Sequence, residues 1–236
     1  METVAQENNS EAFFKISYGL YIVSSGIKGK ENGYISNAVF QVTAEPAQFA
    51  VCCSKNNYTS SIIEKSGAFS VSVLKKDVDQ SLISLFGYKS GKDLNKFENV
   101  AYIKGITRSP IVTQDSLAWF ECRVIQKIDV GTHILFTGEI LNNSLLEDGE
   151  PLTYSYYREV RKGKAPVNAP TYINPEKNKE KKTAAEKYKC LICGYIYDPE
   201  KGDPDGKVNA ETPFSELPET WQCPVCGTDK GNFERI

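Results

Sequence analysis

Two short cysteine motifs, Cys190-Leu191-Ile192-Cys193 and Cys223-Pro224-Val225-Cys226, decide the fold of the C-terminal part of the chain. Each motif places two thiols on one short turn, and Gly194 and Gly227 directly after them suit turns that aim backbone N–H groups at sulfur. Two such turns can present four thiolates to one ion. The spacing therefore predicts a metal site formed by Cys190, Cys193, Cys223 and Cys226.

The spacing does not choose the metal, because a tetrahedral four-sulfur site holds either zinc or iron. The two motifs are 29 residues apart, more than the roughly 15–20 residues usual in zinc ribbons. Residues 188–236 contain five basic and nine acidic residues, a net charge of −4, which is unlike a basic nucleic-acid module. Iron is favoured, and a zinc ribbon remains the alternative.

Aromatic residues crowd the two motifs and predict a small core for residues 188–236. A domain of this size gains little stability from its core alone, so a metal is expected to stabilise it. The expected core residues are Tyr188, Tyr195, Tyr197, Phe214, Trp221 and Phe233.

Two runs, Cys190-Leu-Ile-Cys-Gly-Tyr-Ile-Tyr-Asp-Pro-Glu-Lys-Gly-Asp-Pro204 and Phe214-Ser-Glu-Leu-Pro-Glu-Thr-Trp-Gln-Cys-Pro-Val-Cys-Gly227, closely resemble the rubredoxin family. The resemblance extends over residues 188–236. It implies one iron ion bound by the four cysteines and cycling between ferric and ferrous states. It also implies that Ile192 and Val225 shield the sulfur atoms.

Short β-branched and aromatic runs bounded by Gly, Asn and Pro dominate between Phe13 and Arg161 and predict strands. Tyr58 to Lys65 and Val78 to Phe86 carry apolar residues at helical spacing instead. We therefore expect a mainly β fold with short helices, arranged as a closed or partly closed barrel. The expected strands are 19–23, 38–42, 49–53, 69–74, 117–128 and 133–141.

A charged stretch separates the two parts of the chain. Eight of the twelve residues from Glu176 to Lys187 are Lys or Glu, and such a stretch cannot bury a core. We predict a flexible linker at 173–187 between a domain at 1–172 and a domain at 188–236.

The composition is that of an ordinary soluble globular protein. Hydrophobic residues make up 40% and charged residues 25%, with a net charge of −2, which excludes a polybasic nucleic-acid binder. No apolar run reaches the roughly 18 residues of a membrane span, and the first residues lack the pattern of a signal peptide. We expect a cytoplasmic protein with no membrane partner.

The chemistry of the larger domain follows from the iron. A single iron ion accepts one electron, so a two-electron hydride donor cannot reduce it directly, and a flavin is the natural converter. Residues 32–46, Asn32-Gly-Tyr-Ile-Ser-Asn-Ala-Val-Phe-Gln-Val-Thr-Ala-Glu-Pro46, and 50–59 resemble the flavin reductase-like family with its FMN-binding split barrel. Residues 86–91, 129–140 and 151–154 extend this resemblance over nearly all of 12–172.

This second resemblance implies an FMN site. It places the flavin ring edge near Asn37, Ala38 and Val39, and the phosphate among residues of the segment 54–59. Hydroxyls, a lysine and backbone amides before a helix that starts near Thr59 form an anion site in any case, although the same residues also cap the helix. The expected FMN-binding residues are Asn37, Ala38, Val39, Cys53, Ser54, Lys55, Asn57, Tyr58, Thr59 and Lys89.

His133 is the only histidine, and its position resembles the one that lines the nicotinamide side of the flavin in this family. This implies a catalytic role in orienting NAD(P)H. Thr132 stands where the family often has Asp, which leaves the charged partner of the imidazole open. Split barrels of the family pair through a two-fold interface, which implies a homodimer.

Together the two resemblances are those of the high-molecular-weight rubredoxins. They imply hydride transfer from NAD(P)H to FMN, single-electron transfer to iron, and an external acceptor such as a flavodiiron oxygen or nitric oxide reductase. Two alternatives remain: a non-enzymatic electron carrier similar to flavoredoxins, and a flavin reductase that releases reduced flavin to a partner.

Overall fold

The computed structural model describes residues 10–172 and 186–236. The chain divides into two compact units, one ending at Tyr172 and one containing residues 186–236. They are called the first and second unit below. Within the described residues, none of the helices has the length and apolarity that crossing a bilayer requires.

A seven-stranded antiparallel sheet dominates the first unit. Its strand order is β2-β1-β5-β8-β9-β4-β3. The strands are β1 (Tyr21–Ile27), β2 (Lys30–Ser36), β3 (Val39–Ala44), β4 (Ala47–Ser54), β5 (Ala68–Leu74), β8 (Ser116–Asp129) and β9 (His133–Leu145), and the short strands β6 (Tyr102–Lys104) and β7 (Pro110–Val112) pair separately.

The mainly β prediction is confirmed, and all six expected strands are present with shifted ends. The prediction missed β2, which pairs with β1 along its whole length. Its sequence, Lys-Glu-Asn-Gly-Tyr-Ile-Ser, is mostly polar and lacks the β-branched run typical of strands. The short β6 and β7 were also missed.

Three short helices flank the sheet: α1 (Tyr58–Ser66), α2 (Gln80–Tyr88) and α3 (Tyr154–Glu159). The Asn57 side chain caps α1 by accepting a hydrogen bond from the Thr59 N–H, and Gly67 ends it with φ 67°, a conformation in which a side chain is strained. The helices expected at 58–65 and 78–86 are confirmed within two residues.

The first unit has two apolar clusters. One lies within the curved sheet and includes Val51, Phe69 and Phe136. The other packs α2 and α3 against the end of the sheet and includes Leu82 and Tyr157. The site described below lies where β2, β4, α1 and α2 meet.

The second unit has a three-stranded sheet of β10 (Tyr188–Cys190), β11 (Ile196–Tyr197) and β12 (Phe233–Arg235). Its core contains the six expected aromatic residues together with Val208 and Leu217. The rings of Tyr188 and Phe214 stack at 4.1 Å, and the indole N–H of Trp221 donates to the buried Asp203 carboxylate at 2.8 Å.

Most of the expected linker, 173–185, lies outside the described residues. Its last two residues belong structurally to the second unit. Glu186 pairs with Arg235, and Lys187 pairs with Asp198. The Lys187 carbonyl also accepts a hydrogen bond from the Ile236 N–H.

Replacement of Phe69 tests the packing of the first unit. Phe69 is fully buried, so Phe69→Ala should lower the free energy of unfolding by about 3–5 kcal/mol. Ile106 is 70% exposed, and the control Ile106→Ala should change it by less than about 0.5 kcal/mol. Urea unfolding followed by the circular dichroism of the sheet measures both; equal effects would contradict this assignment of the core.

Candidate functional site

The four cysteines of the second unit converge on one point. All four Sγ atoms lie within 4.8 Å of one another; those of Cys190 and Cys226 are 3.7 Å apart, and those of Cys193 and Cys223 are 3.6 Å apart. A tetrahedron with metal–sulfur bonds of about 2.3 Å has edges of about 3.8 Å. The side chains therefore fit one tetrahedral metal ion.

The two cysteine turns repeat the same backbone pattern. Gly194 N–H donates to the Cys190 carbonyl at 2.9 Å, and Gly227 N–H donates to the Cys223 carbonyl at 2.8 Å. Both glycines have a positive φ, 78° and 73°. Backbone N–H groups of Ile192 and Cys193 also point at the Cys190 sulfur, where they stabilise negative charge.

The four ligands differ in exposure. Cys190 and Cys223 are buried, whereas Cys193 and Cys226 are exposed. Ile192 and Val225, which were expected to shield the sulfur atoms, are themselves 65% and 66% exposed. The cluster therefore lies at the surface of the second unit, within an apolar patch.

The first unit contains a cavity of about 240 Å³ between β2, β4, α1 and the end of α2. Both aromatic rings and polar groups line it, a combination typical of cofactor sites. The aromatic lining consists of Tyr34, Tyr58, Phe86 and Tyr88, and the polar lining includes Asn32, Ser54, Asn57, Lys89, Ser90 and Lys96.

Four of the expected FMN-binding residues line this cavity: Ser54, Asn57, Tyr58 and Lys89. Asn37 lines a smaller adjoining cavity that shares Ile35 and Gly87 with the first. The cavity fits the flavin group, because rings suit its planar part, while hydroxyls, a lysine and the N-terminus of α1 suit its phosphate.

The structure places the remaining expected residues outside the lining. The Lys55 ammonium pairs with Asp129 at 2.7 Å, and Val39 is packed in the sheet core. Ala38 accepts a backbone hydrogen bond from Cys52. Thr59 is buried behind the cavity, where its hydroxyl accepts a hydrogen bond from Asn32.

Cys53 also lies in the core, and the neighbouring Cys52 lines the cavity instead. The side chains of a strand alternate between its two faces, so only one of the two can face a ligand. Burial raises the pKa of Cys53 and of Cys122 to about 12, and both are neutral, unreactive thiols.

The segment 164–172, called the strap below, covers one side of the cavity, which residues 166–170 line. Three side chains hold the strap. Tyr88 donates to the Lys164 carbonyl at 2.6 Å, Asn37 donates to the Thr171 hydroxyl at 2.9 Å, and His133 Nε2 lies 3.2 Å from the Asn168 carbonyl.

These contacts define the tautomer of His133. A carbonyl oxygen only accepts, so Nε2 carries the proton, and Nδ1 of the neutral ring accepts from the Thr132 hydroxyl at 2.8 Å. Thr132 thus takes the place of a charged partner. The sequence patterns did not predict that Asn32, Lys96 and the strap line the cavity, because no local pattern indicates a buried lysine or a covering loop.

Each of the two units matches a known protein family. The family model of the flavin reductase like domain matches residues 13–163, and that of rubredoxin matches residues 187–233. The high molecular weight rubredoxin of Moorella thermoacetica is 39% identical over 97% of this chain and 100% of its own length. The chain belongs to the high molecular weight rubredoxin family.

Two further relatives each match the first unit. The ferric-chelate reductase (NAD(P)H) of Archaeoglobus fulgidus is 46% identical over 69% of this chain and 96% of its own length. The solved structure of flavoredoxin from Methanosarcina acetivorans is 25% identical, with a TM-score of 0.54 over 64% of this chain and 81% of that one. The split-barrel prediction is confirmed.

Family and geometry together define the cofactors. The chain is an oxidoreductase with FMN as the cofactor of the flavin reductase-like domain and iron as the cofactor of the four-cysteine site. When bound, the flavin accepts hydride and passes on single electrons, and the iron carries one electron.

Removal of the metal should unfold the second unit alone. A structural four-cysteine ion contributes on the order of 10 kcal/mol to a small domain, and the core around Trp221 is small. After treatment with a strong chelator under reducing conditions, amide NMR signals of 186–236 should lose dispersion, while those of 10–172 stay unchanged. Dispersed signals from a metal-free second unit would contradict this dependence.

Proposed function

We propose that the chain is an NAD(P)H-dependent electron relay: hydride reduces FMN in the first unit, and single electrons pass to iron in the second unit and on to an external acceptor. One observation carries the proposal. A flavin reductase-like cavity and a four-sulfur metal site occur in the same chain.

Electron counting supports the order of the steps. One NAD(P)H releases a hydride, which is two electrons and a proton, whereas one ferric ion takes one electron. Each NAD(P)H is therefore oxidised to NAD(P)⁺ as two ferric equivalents become ferrous and one proton is released. The flavin domain supplies this conversion from two electrons to one.

The residues of the cavity provide binding and orientation. Tyr34, Tyr58 and Phe86 offer ring faces for the planar part of FMN, and Ser54 with Asn57 at the start of α1 offers hydrogen bonds to its phosphate. His133 holds the strap through its Nε2–H, and its ring would orient the nicotinamide. The same donor is named for the ferric-chelate reductase (NAD(P)H) of Archaeoglobus fulgidus.

We further propose a flavodiiron oxygen or nitric oxide reductase as the acceptor and a homodimer as the assembly. The exposed ligands Cys193 and Cys226 support direct electron transfer to a docked protein. Exposed apolar side chains on β3 and β8, among them Phe40, Val42 and Ile125, support a dimer formed through the sheet. The cytoplasmic location stays a prediction.

An anaerobic titration with NADH or NADPH tests the relay. Three electrons fill one flavin and one iron, so about 1.5 equivalents of donor should bleach both absorption bands. In Cys223→Ser the iron band should be absent, and about one equivalent should still bleach the flavin. The control Cys122→Ala removes a cysteine that is not a ligand and should behave as wild type.

Other outcomes would select other functions. If neither band bleaches, the chain is a carrier reduced by another protein. FMN lost on dialysis would indicate a reductase that releases its flavin. A colourless second unit would indicate zinc and contradict the relay.

Salt should slow electron transfer to the acceptor. Residues 188–236 carry a net charge of −4, which favours encounter with a basic docking surface, and ions screen this attraction. Between about 50 and 500 mM NaCl, turnover with a flavodiiron protein should fall roughly tenfold. Reduction of the flavin without that partner serves as the control, and equal salt responses would argue against charged docking.

A further inference from the structure

Lys96 is a buried lysine in the wall of the cavity. Only 3% of its surface is exposed, although lysine is almost never fully buried without a partner. Its ammonium donates to the Gly33 carbonyl at 2.9 Å and to the Phe86 carbonyl at 3.3 Å, and it lies 5.6 Å from the centre of the Phe86 ring.

These partners leave the charge of Lys96 uncompensated. In the part of the chain that the structure describes, the ammonium has no carboxylate within 4 Å. Glu31 on β2 pairs with Lys104 instead. Carbonyl dipoles satisfy hydrogen bonds but do not neutralise a buried cation, whose desolvation costs several kcal/mol.

Asn32 lies in the same wall with an unused acceptor. It is 1% exposed; its amide donates to Thr59 at 3.2 Å, and its Oδ1 finds no hydrogen-bond donor among the described residues. A Cβ on Gly91 would lie 2.1 Å from this oxygen, so the loop approaches closely because residue 91 is glycine. The Lys96 ammonium, which lacks a countercharge, and the Asn32 Oδ1, which lacks a hydrogen-bond donor, thus line the same cavity.

We propose that Lys96 is a ligand-binding residue that neutralises a negative charge on the flavin bound in this cavity, with Asn32 beside it. This inference rests on the proposed use of the cavity as the flavin site. An anionic ligand group supplies the countercharge that the protein itself lacks. Two groups of the ligand can carry this negative charge: the phosphate of FMN and the ring system of the reduced flavin.

The proposal makes flavin binding depend on pH. Burial lowers the pKa of Lys96 to about 8 in the unliganded protein, and an anion would raise it again. The other titratable groups of the lining are Tyr34, Cys52, Tyr58, Tyr88 and Lys89; burial raises the pKa of Tyr34 and Cys52, so both stay neutral near pH 8.

The pKa of Lys96 determines how the affinity for FMN changes with pH. Below about pH 7 Lys96 is protonated with or without ligand, so its titration does not change the affinity there. Above about pH 8 the unliganded protein must take up a proton to bind, so affinity for FMN should fall towards tenfold per pH unit. The phosphate does not interfere, because it is already dianionic above pH 7.

The experiment compares Lys96→Met with Lys104→Met in the full chain. Methionine keeps the length and removes the charge, and Lys104 is an exposed lysine on β6. At pH 7, Lys96→Met should bind FMN in at least one of its two oxidation states about ten- to hundredfold more weakly than Lys104→Met, with no loss of that affinity above pH 8. Lys96→Arg, charged throughout this range, should keep the affinity at pH 9.

Riboflavin separates the two sources of charge. If Lys96 meets the phosphate, Lys96→Met weakens binding of FMN and leaves binding of riboflavin unchanged. If it meets the reduced ring, the variant weakens binding of reduced FMN and reduced riboflavin alike and leaves the oxidised forms unchanged. Either result supports the proposal.

Flavin-free protein supplies a second readout. Lys96→Met loses the hydrogen bonds to the Gly33 and Phe86 carbonyls but also removes a buried charge, so it should melt within a few degrees of Lys104→Met. A much lower melting temperature, or failure to fold, would show a structural lysine and overturn the proposal. So would binding of all four flavin forms within twofold of Lys104→Met. If the wild type itself binds no flavin, the proposed function fails instead.

Discussion

Backbone hydrogen bonding between β4 and β9 sets the geometry on which the site of the first unit depends. In this register Ser54 lies opposite His133, and Cys52 lies opposite Leu135. A shift by one residue would turn Cys52 into the core and Cys53 towards the cavity. Because β9 also pairs with β8 along most of its length, the long hairpin holds this register, and the end of β4 leads directly into the cap of α1.

The geometry of the cysteine site in the second unit also depends on backbone hydrogen bonds. Each cysteine turn is closed by its own backbone hydrogen bond, Gly194 to Cys190 and Gly227 to Cys223, and a metal ion bound by the four thiolates would join the two turns. Both sites contain charged groups that require a ligand of opposite charge. Four thiolates require a cation, and the buried Lys96 requires an anion.

The sequence predicts the elements better than the contacts between them. Strands with β-branched runs, both longer helices and the two cysteine turns follow from local pattern, because each depends on residues close in the chain. The polar β2 was missed because four of its seven residues are Lys, Glu, Asn and Ser, although Tyr34 packs in the core and Asn32 lines the cavity. Burial of Lys96 and the contact of Asn37 with Thr171 arise from packing of residues far apart, which no local pattern reports.

Unequal exposure of the iron ligands has a consequence for selectivity. With Cys193 and Cys226 at the surface, a redox protein that touches this patch comes within tunnelling distance without any rearrangement of the second unit. Contact with this patch alone does not distinguish one electron-accepting protein from another. Selective delivery of electrons therefore depends on which recipients dock, and the acidic surface of this unit, with a net charge of −4, favours recipients with a basic surface.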